Sequence, residues 1–203
     1  MQRTAFENTL RKFTLEAEWL RDEFSRFGTS TDQRQGHFAG ELVVIRLHDA
    51  WARFCRELIV LSAYGRIETL GGIRLNTSLP AIKNRGDVVP VLMSLSGGRL
   101  NEPKWYASDQ CIRAAQRLQI QNLSTVSASL GAANSPANRL RDVRNFYAHR
   151  QKQTAEQAIQ AGNFTGRHPR TRVFQLNNYT LGGRTLLESW TDDLIAIATA
   201  ALQ

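Results

Sequence analysis

Asn138-Arg139-Leu140-Arg141-Asp142-Val143-Arg144-Asn145-Phe146-Tyr147-Ala148-His149-Arg150 is the most informative stretch in this chain of 203 residues. At about 100° per residue, a helix through it gathers Leu140, Val143 and Tyr147 on one side and Arg141, Asn145 and His149 on the other. Arg144 falls on the flank between the two faces, and Asn145 and His149 are i,i+4 neighbours. The histidine is therefore directed away from the core. Ser135 before Pro136 is the preferred order of N-cap and first helical residue, so the helix is expected to begin there and to run on through Ala161, with Gly162 ending it.

Helical periodicity recurs outward from this segment. Phe6, Leu10, Phe13, Ala17, Leu20 and Phe24 alternate spacings of four and three, the stripe of an amphipathic helix that Gly28 and the polar run after it should end. A longer helix is read over residues 38–64. Val43, Val44, Leu47, Trp51, Phe54, Leu58 and Leu61 share one face, with Arg46, Asp49, Arg53, Arg56 and Glu57 opposite and Gly65 as the stop. Leu187, Trp190, Leu194, Ile197 and Ala201 mark a last helix. Residues 65–105 differ: recurrent glycine and proline break any long period, and an irregular insertion is expected, with short strands at 73–75 and 88–92. Helix resumes at Ser108, read with Asp109 as its cap, and a shorter turn follows over 125–130. Residues 163–184 read as a loop or short hairpin. The expectation is an all-α bundle of five helical segments in a single domain over 1–203.

With 42% apolar and 22% charged residues, the composition is that of an ordinary globular protein, which excludes global disorder and fibrous repeats. The longest apolar runs are a few residues, against the roughly 20 needed to cross a bilayer. The first 20 residues lack an apolar signal core and carry Glu7, Glu16 and Glu18, so a cytoplasmic protein without membrane contact is expected. Cys55 and Cys111 have no CxxC spacing and no nearby histidine, and are expected as buried, reduced thiols. The net charge of +8 comes from 26 basic residues, 22 arginine and 4 lysine, which favours a polyanionic partner and the planar, forked donor set suited to phosphate. No GxxxxGK[ST], HExxH, GxSxG or strand-borne GxGxxG motif is present. His37, His48, His149 and His168 are dispersed, and Asp192-Asp193 has no histidine at ligand spacing, so neither metal nor cofactor is expected.

Arg144-Asn145, three further residues and His149, set in the run LRDVRNFYAHR of a late helix in a basic chain, resemble the Arg-x4-6-His motif of HEPN superfamily ribonucleases. Asn145 matches the polar residue that commonly follows the arginine in that family, and the helix carrying Trp51 to Leu61 is similar to the long aromatic helix beside the family's motif helix. The resemblance covers most of the chain apart from residues 65–105 and 163–184. It implies an all-α, HEPN-like helical bundle and a metal-independent endoribonuclease that needs no cofactor. Arg144, Asn145 and His149 would be catalytic, and Arg141 and Arg150 would bind RNA. Arg139, Lys152 and the cluster Arg167, His168, Arg170 and Arg172 would extend the backbone contacts. It further implies a homodimer that joins two motif helices, a role as a toxin or antiphage-defence effector, and an antitoxin or defence-system protein as partner. The other reading within the superfamily is a noncatalytic RNA-binding or regulatory protein.

The implied chemistry is simple to state. Cleaving RNA without a metal needs a base for the 2′-hydroxyl, an acid for the leaving 5′-oxygen and positive charge against the phosphorane. Histidine as a residue type titrates near neutral pH and serves either proton role, while arginine supplies permanent charge. One chain carries one such histidine, and a two-fold interface duplicates it.

Overall fold

The computed structural model describes residues 4–27, 33–97, 101–131, 136–161, 180–181 and 183–203. These are predominantly helical. The helices are α1 (Ala5–Phe27), α2 (Gln33–Tyr64), α3 (Val88–Leu95), α4 (Ser108–Arg117), α5 (Leu123–Leu130), α6 (Pro136–His149), α7 (Lys152–Ala161) and α8 (Leu186–Ala200). Two short antiparallel ladders accompany them: β1 (Ile67–Glu68) with β2 (Arg74–Leu75), and β3 (Thr180–Leu181) with β4 (Arg184–Thr185). The all-α expectation thus holds at the level of class. The described residues gather into two compact units, one of Met1–Phe13, Trp51–Ala133 and Ala196–Gln203, the other of Thr14–Ala50 and Asn134–Ile195.

In the first unit the core is aromatic at its centre. Phe13 meets Trp51 edge-on at 5.7 Å between ring centroids, and Trp51 stacks on Phe54 at 5.5 Å. Leu58, Leu92, Leu118 and Leu130 are fully buried in the same unit. Helix α2 ends where expected: Gly65 has φ of 65° and donates to the Leu61 carbonyl at 3.0 Å. A side chain there would strike the backbone of Asn76 and Thr77, so glycine serves both the left-handed turn and the close approach. The residues beyond it pair Ile67 with Leu75 and Glu68 with Arg74.

The region 65–105 is irregular only in part. The strand expected at 88–92 is helix α3 instead. Asn84 and Asp87 form a reciprocal cap over the 3-10 turn Arg85–Asp87, and Pro90 lies in the first turn of α3, where its missing N–H is harmless. Helix α4 starts at Ser108 as expected, but its N-cap is Ala107 and no side chain caps it. Cys55 and Cys111 are buried and unbridged. Burial, reinforced by the neighbouring Cys111, pushes the Cys55 thiol well above its ordinary range, which leaves it unreactive.

The second unit packs Ala17, Leu20 and Phe24 of α1, Val43, Val44 and Leu47 of α2, Leu140, Val143, Phe146 and Tyr147 of α6, and Leu187, Trp190 and Leu194 of α8, all buried. Helix α8 opens on a capping box: the Thr185 N–H donates to Glu188 Oε2 at 2.7 Å and the Glu188 N–H to Thr185 Oγ1 at 3.2 Å. Asp192 accepts from Arg21 at 2.9 Å and from Arg184 at 3.0 Å, an ion-pair role and not a metal one.

Candidate functional site

The motif residues lie on α6, within the second unit. Burial of Leu140, Val143, Phe146 and Tyr147 fixes the rotation of this helix, because they form the apolar stripe that the core takes up. His149 is exposed and Arg144 half-buried, as the sequence periodicity predicts, whereas Arg141 and Asn145, expected opposite the core, are half-buried as well. Ser135 and Gly162, the expected ends, lie outside the described residues, as does the cluster Arg167 to Arg172.

The single helix expected to reach Ala161 is instead two. Arg150 takes φ of 48°, and its N–H donates to the Phe146 carbonyl at 2.7 Å, closing α6 at His149. Helix α7 starts anew: the Gln151 N–H donates to Thr154 Oγ1 at 3.2 Å, and that hydroxyl donates back to the Gln151 carbonyl at 2.9 Å. A left-handed arginine costs roughly 1–2 kcal/mol relative to a helical one. Its guanidinium is held by Glu41 at 2.9 Å. The break makes His149 the last residue of α6, with its side chain exposed.

Arg141 and Arg150, the expected RNA-binding residues, are each paired with a carboxylate, Asp142 at 2.9 Å and Glu41 at 2.9 Å. Arg139 is half-buried, and Lys152 is exposed, with its ammonium 4.0 Å from Glu156.

Arg144 is the most unusual group on α6. Its Nε is buried and has no hydrogen-bond partner among the described residues. A buried N–H without an acceptor is costly, so the position is not explained by packing alone.

Beside it stands a residue the sequence did not flag. His48 on α2 is 4% exposed, with Nδ1 3.5 Å from the Asp49 carboxylate. Its pKa is held below the ordinary histidine value, first by burial, against a hydrogen bond to the Asp49 carboxylate, and further by the positive charge of Arg144 and then Arg141. At neutral pH it is therefore an uncharged imidazole next to two guanidinium groups. The spacing held the signal: His48 lies four residues after Val44 and three before Trp51, both in the buried stripe.

No family model, curated protein or solved structure matches this chain. At about 100° per residue, Asn145 and His149 lie about 40° apart around α6, whereas Arg144 and His149 lie about 140° apart. Asn145 and His149 therefore share a flank, and Arg144 lies on another, from which its charge reaches His48. Among the described residues no three His, Cys, Asp or Glu side chains gather as a metal-binding group, and no helix is long and apolar enough to cross a membrane.

Proposed function

We propose that the chain is a HEPN-like, metal-independent endoribonuclease, active in the cytoplasm as a homodimer in which two copies of α6 build one site. The observation that carries this reading is the buried Arg144 Nε, without a partner among the described residues, on the same helix as the exposed, terminal His149. Among the described residues Arg144 has a donor without an acceptor, and a phosphoryl oxygen is an acceptor that suits a guanidinium.

The angular separation of Arg144 and His149 supports a shared site. One copy of α6 turns them to different flanks, and a two-fold axis across α6 brings Arg144 of one subunit toward His149 of the other. In this arrangement one His149 takes the proton of the RNA 2′-hydroxyl as that oxygen attacks the adjacent phosphorus. His149 of the partner subunit gives a proton to the departing 5′-oxygen. The products are a 2′,3′-cyclic phosphate and a 5′-hydroxyl. Arg144 stabilises the charge that grows on the nonbridging oxygens, and Asn145, one turn before His149, orients the imidazole. His48 is a positioning residue: as a neutral ring beside Arg144 it supports the guanidinium without adding charge. Arg141 and Arg150 contact the flanking backbone by exchanging their half-buried carboxylate partners, Asp142 and Glu41, for phosphates.

Exposed apolar side chains in the same unit support association. Leu15 and Trp19 lie one turn apart on α1, and Phe38 and Leu42 one turn apart on α2. Trp19 and Leu42 line a cleft of about 170 Å³ between these helices. The proposal extends to a toxin or antiphage effector restrained by a partner protein.

Expression in a growth assay tests the enzyme against a protein that acts by occupancy. Growth arrest by the wild-type chain, with cut RNA, that is lost in His149→Ala supports the nuclease. Arrest that survives His149→Ala with RNA still bound and uncut overturns it in favour of the noncatalytic reading.

A further inference from the structure

A second feature of the molecule lies in the first unit, on residues that the nuclease reading does not use. A cleft of about 720 Å³ opens between the end of α3, residues 101–104 and one face of α4. Its size falls in the range of small-molecule sites, roughly 300–1,000 Å³. Its walls combine apolar surface, from Met93 and Ala114, with three cations, Lys104, Arg113 and Arg117.

The charge balance of this cleft is positive. Its one lining carboxylate, Glu102, is already engaged: it accepts from Arg56 Nε at 3.1 Å and from Trp105 Nε1 at 2.7 Å. Arg117 Nη1 donates to the neutral Ser96 hydroxyl at 2.8 Å, which orients the guanidinium and leaves its charge uncompensated. Lys104 is anchored through its backbone N–H, which donates to Gln110 Oε1 at 2.8 Å. Its ammonium makes no ion pair among the described residues. Arg113 pairs with Asp109, but both side chains are more than half exposed, so that pair is screened and easily exchanged. Arg113 and Arg117 are one helical turn apart, about 6 Å along the axis, which suits neighbouring phosphate groups better than a single one.

We propose that this cleft is a binding site for a small phosphate-bearing ligand, a nucleoside di- or triphosphate, whose phosphates lie on Lys104, Arg113 and Arg117 and whose ring system lies against Met93 and Ala114. The cations come from the 101–104 segment and from α4 to line a bounded cleft with an apolar wall, which fits a compact ligand better than a passing RNA strand. The site is independent of His149 and Arg144 and stands whether or not the chain cuts RNA.

Isothermal titration calorimetry on the full chain carrying His149→Ala tests it, with ATP, ADP, inorganic pyrophosphate and a single-stranded RNA dodecamer as separate probes. ATP and ADP should bind with one site per chain and more tightly than pyrophosphate. Lys104→Ala and Arg117→Ala should each weaken them roughly tenfold, the scale of one lost charge-assisted contact. Arg74→Ala, an exposed arginine of β2 outside the cleft, should leave them unchanged. Because Lys104 and Arg117 are exposed, unaltered melting curves are expected for both variants, which makes a loss of affinity readable as a loss of contact. The proposal is overturned if no nucleotide binds, if nucleotide affinity is the same in Lys104→Ala and Arg117→Ala, or if pyrophosphate binds as tightly as ATP. It is equally overturned if the RNA dodecamer alone binds and loses affinity in these variants, since the cleft is then a nucleic-acid surface.

Discussion

The two units bury polar groups of different kinds. In the unit of α3 to α5, Asn122 Nδ2 donates to Ser62 Oγ at 3.2 Å and Cys111 Sγ to the Trp105 carbonyl at 3.1 Å. Even the atoms there without a partner among the described residues, Asn122 Oδ1, Trp51 Nε1 and Ser108 Oγ, belong to uncharged groups. The unit of α6 and α7 also holds a neutral atom without a partner among the described residues, Trp190 Nε1, but there the buried imidazole of His48 feels the charge of Arg144 and Arg141, and Arg144 Nε has no acceptor among the described residues. Neutral polar pairs are what a stable core tolerates. Positive charge gathered around a buried titratable ring is destabilising unless a ligand completes it. Buried charge of this kind is what the proposed nuclease site would require of the second unit.

Removing His149 should break the comparison most visibly. His149→Ala is expected to lower RNA cleavage by about 10²–10⁴-fold, the usual worth of a positioned acid or base. Its melting curve should stay within about 0.5 kcal/mol of wild type, because the side chain is exposed. Cleavage assays alongside thermal denaturation check both halves.

Arg144 and Ser62 form a matched pair of substitutions. Arg144→Met keeps the buried stem and deletes the orphaned donor, so activity should fall by about 10²–10³-fold while stability holds or rises by about 1 kcal/mol. Ser62→Ala leaves the Asn122 amide unsatisfied and should cost about 1–3 kcal/mol with cleavage intact. A large loss of stability in Arg144→Met would place that residue with Ser62, as structure.

His48 sharpens the contrast through pH. Its folded pKa is below the unfolded value of about 6.5, so the unfolded chain binds the proton first. Its contribution to stability is therefore retained above about pH 6.5 and lost as pH falls through that value toward the folded pKa. Urea midpoints measured between pH 7.5 and pH 5 should decline for wild type and decline less for His48→Leu. If His48 positions Arg144, His48→Asn should retain more activity than His48→Leu at equal stability.

The smallest expected effect is at the helix break. Arg150→Gly relieves the left-handed backbone but loses the Glu41 pair, so net stability should change by less than about 1 kcal/mol. Weaker RNA binding with a smaller salt dependence should accompany it if Arg150 touches phosphate.

Much of this was legible in the sequence because burial imposes period. Phe6, Phe13, Ala17, Leu20 and Phe24 are buried as their spacing predicts, with Leu10 of the same stripe half-buried, and the α2 stripe from Val43 to Leu61 is buried too. The rotation of α6, with His149 outward and Tyr147 inward, followed from the same rule. Short elements escaped it. Val88–Leu95 is an apolar run too brief to separate strand from helix, and what decides it is the Asn84 and Asp87 cap with Pro90 in the first turn. The break after His149 carries no glycine, since Arg150 adopts the left-handed conformation itself. His48 was hidden by its neighbours: a histidine in an apolar stripe acquires meaning only when α6 brings Arg144 and Arg141 to it.

The chemistry of the 3′ end left on cut RNA tests the central claim most directly. Purified wild-type chain is incubated with RNA in excess EDTA, and the fragments are separated and their ends identified by mass spectrometry. The account predicts continued cleavage, 2′,3′-cyclic phosphate ends with 5′-hydroxyl partners, and no cutting where the 2′-oxygen is methylated or absent. Fragments ending in 3′-hydroxyl, or cleavage abolished by EDTA and restored by Mg²⁺ or Mn²⁺, would contradict it, because the nucleophile would then be a water and not the RNA's own 2′-oxygen.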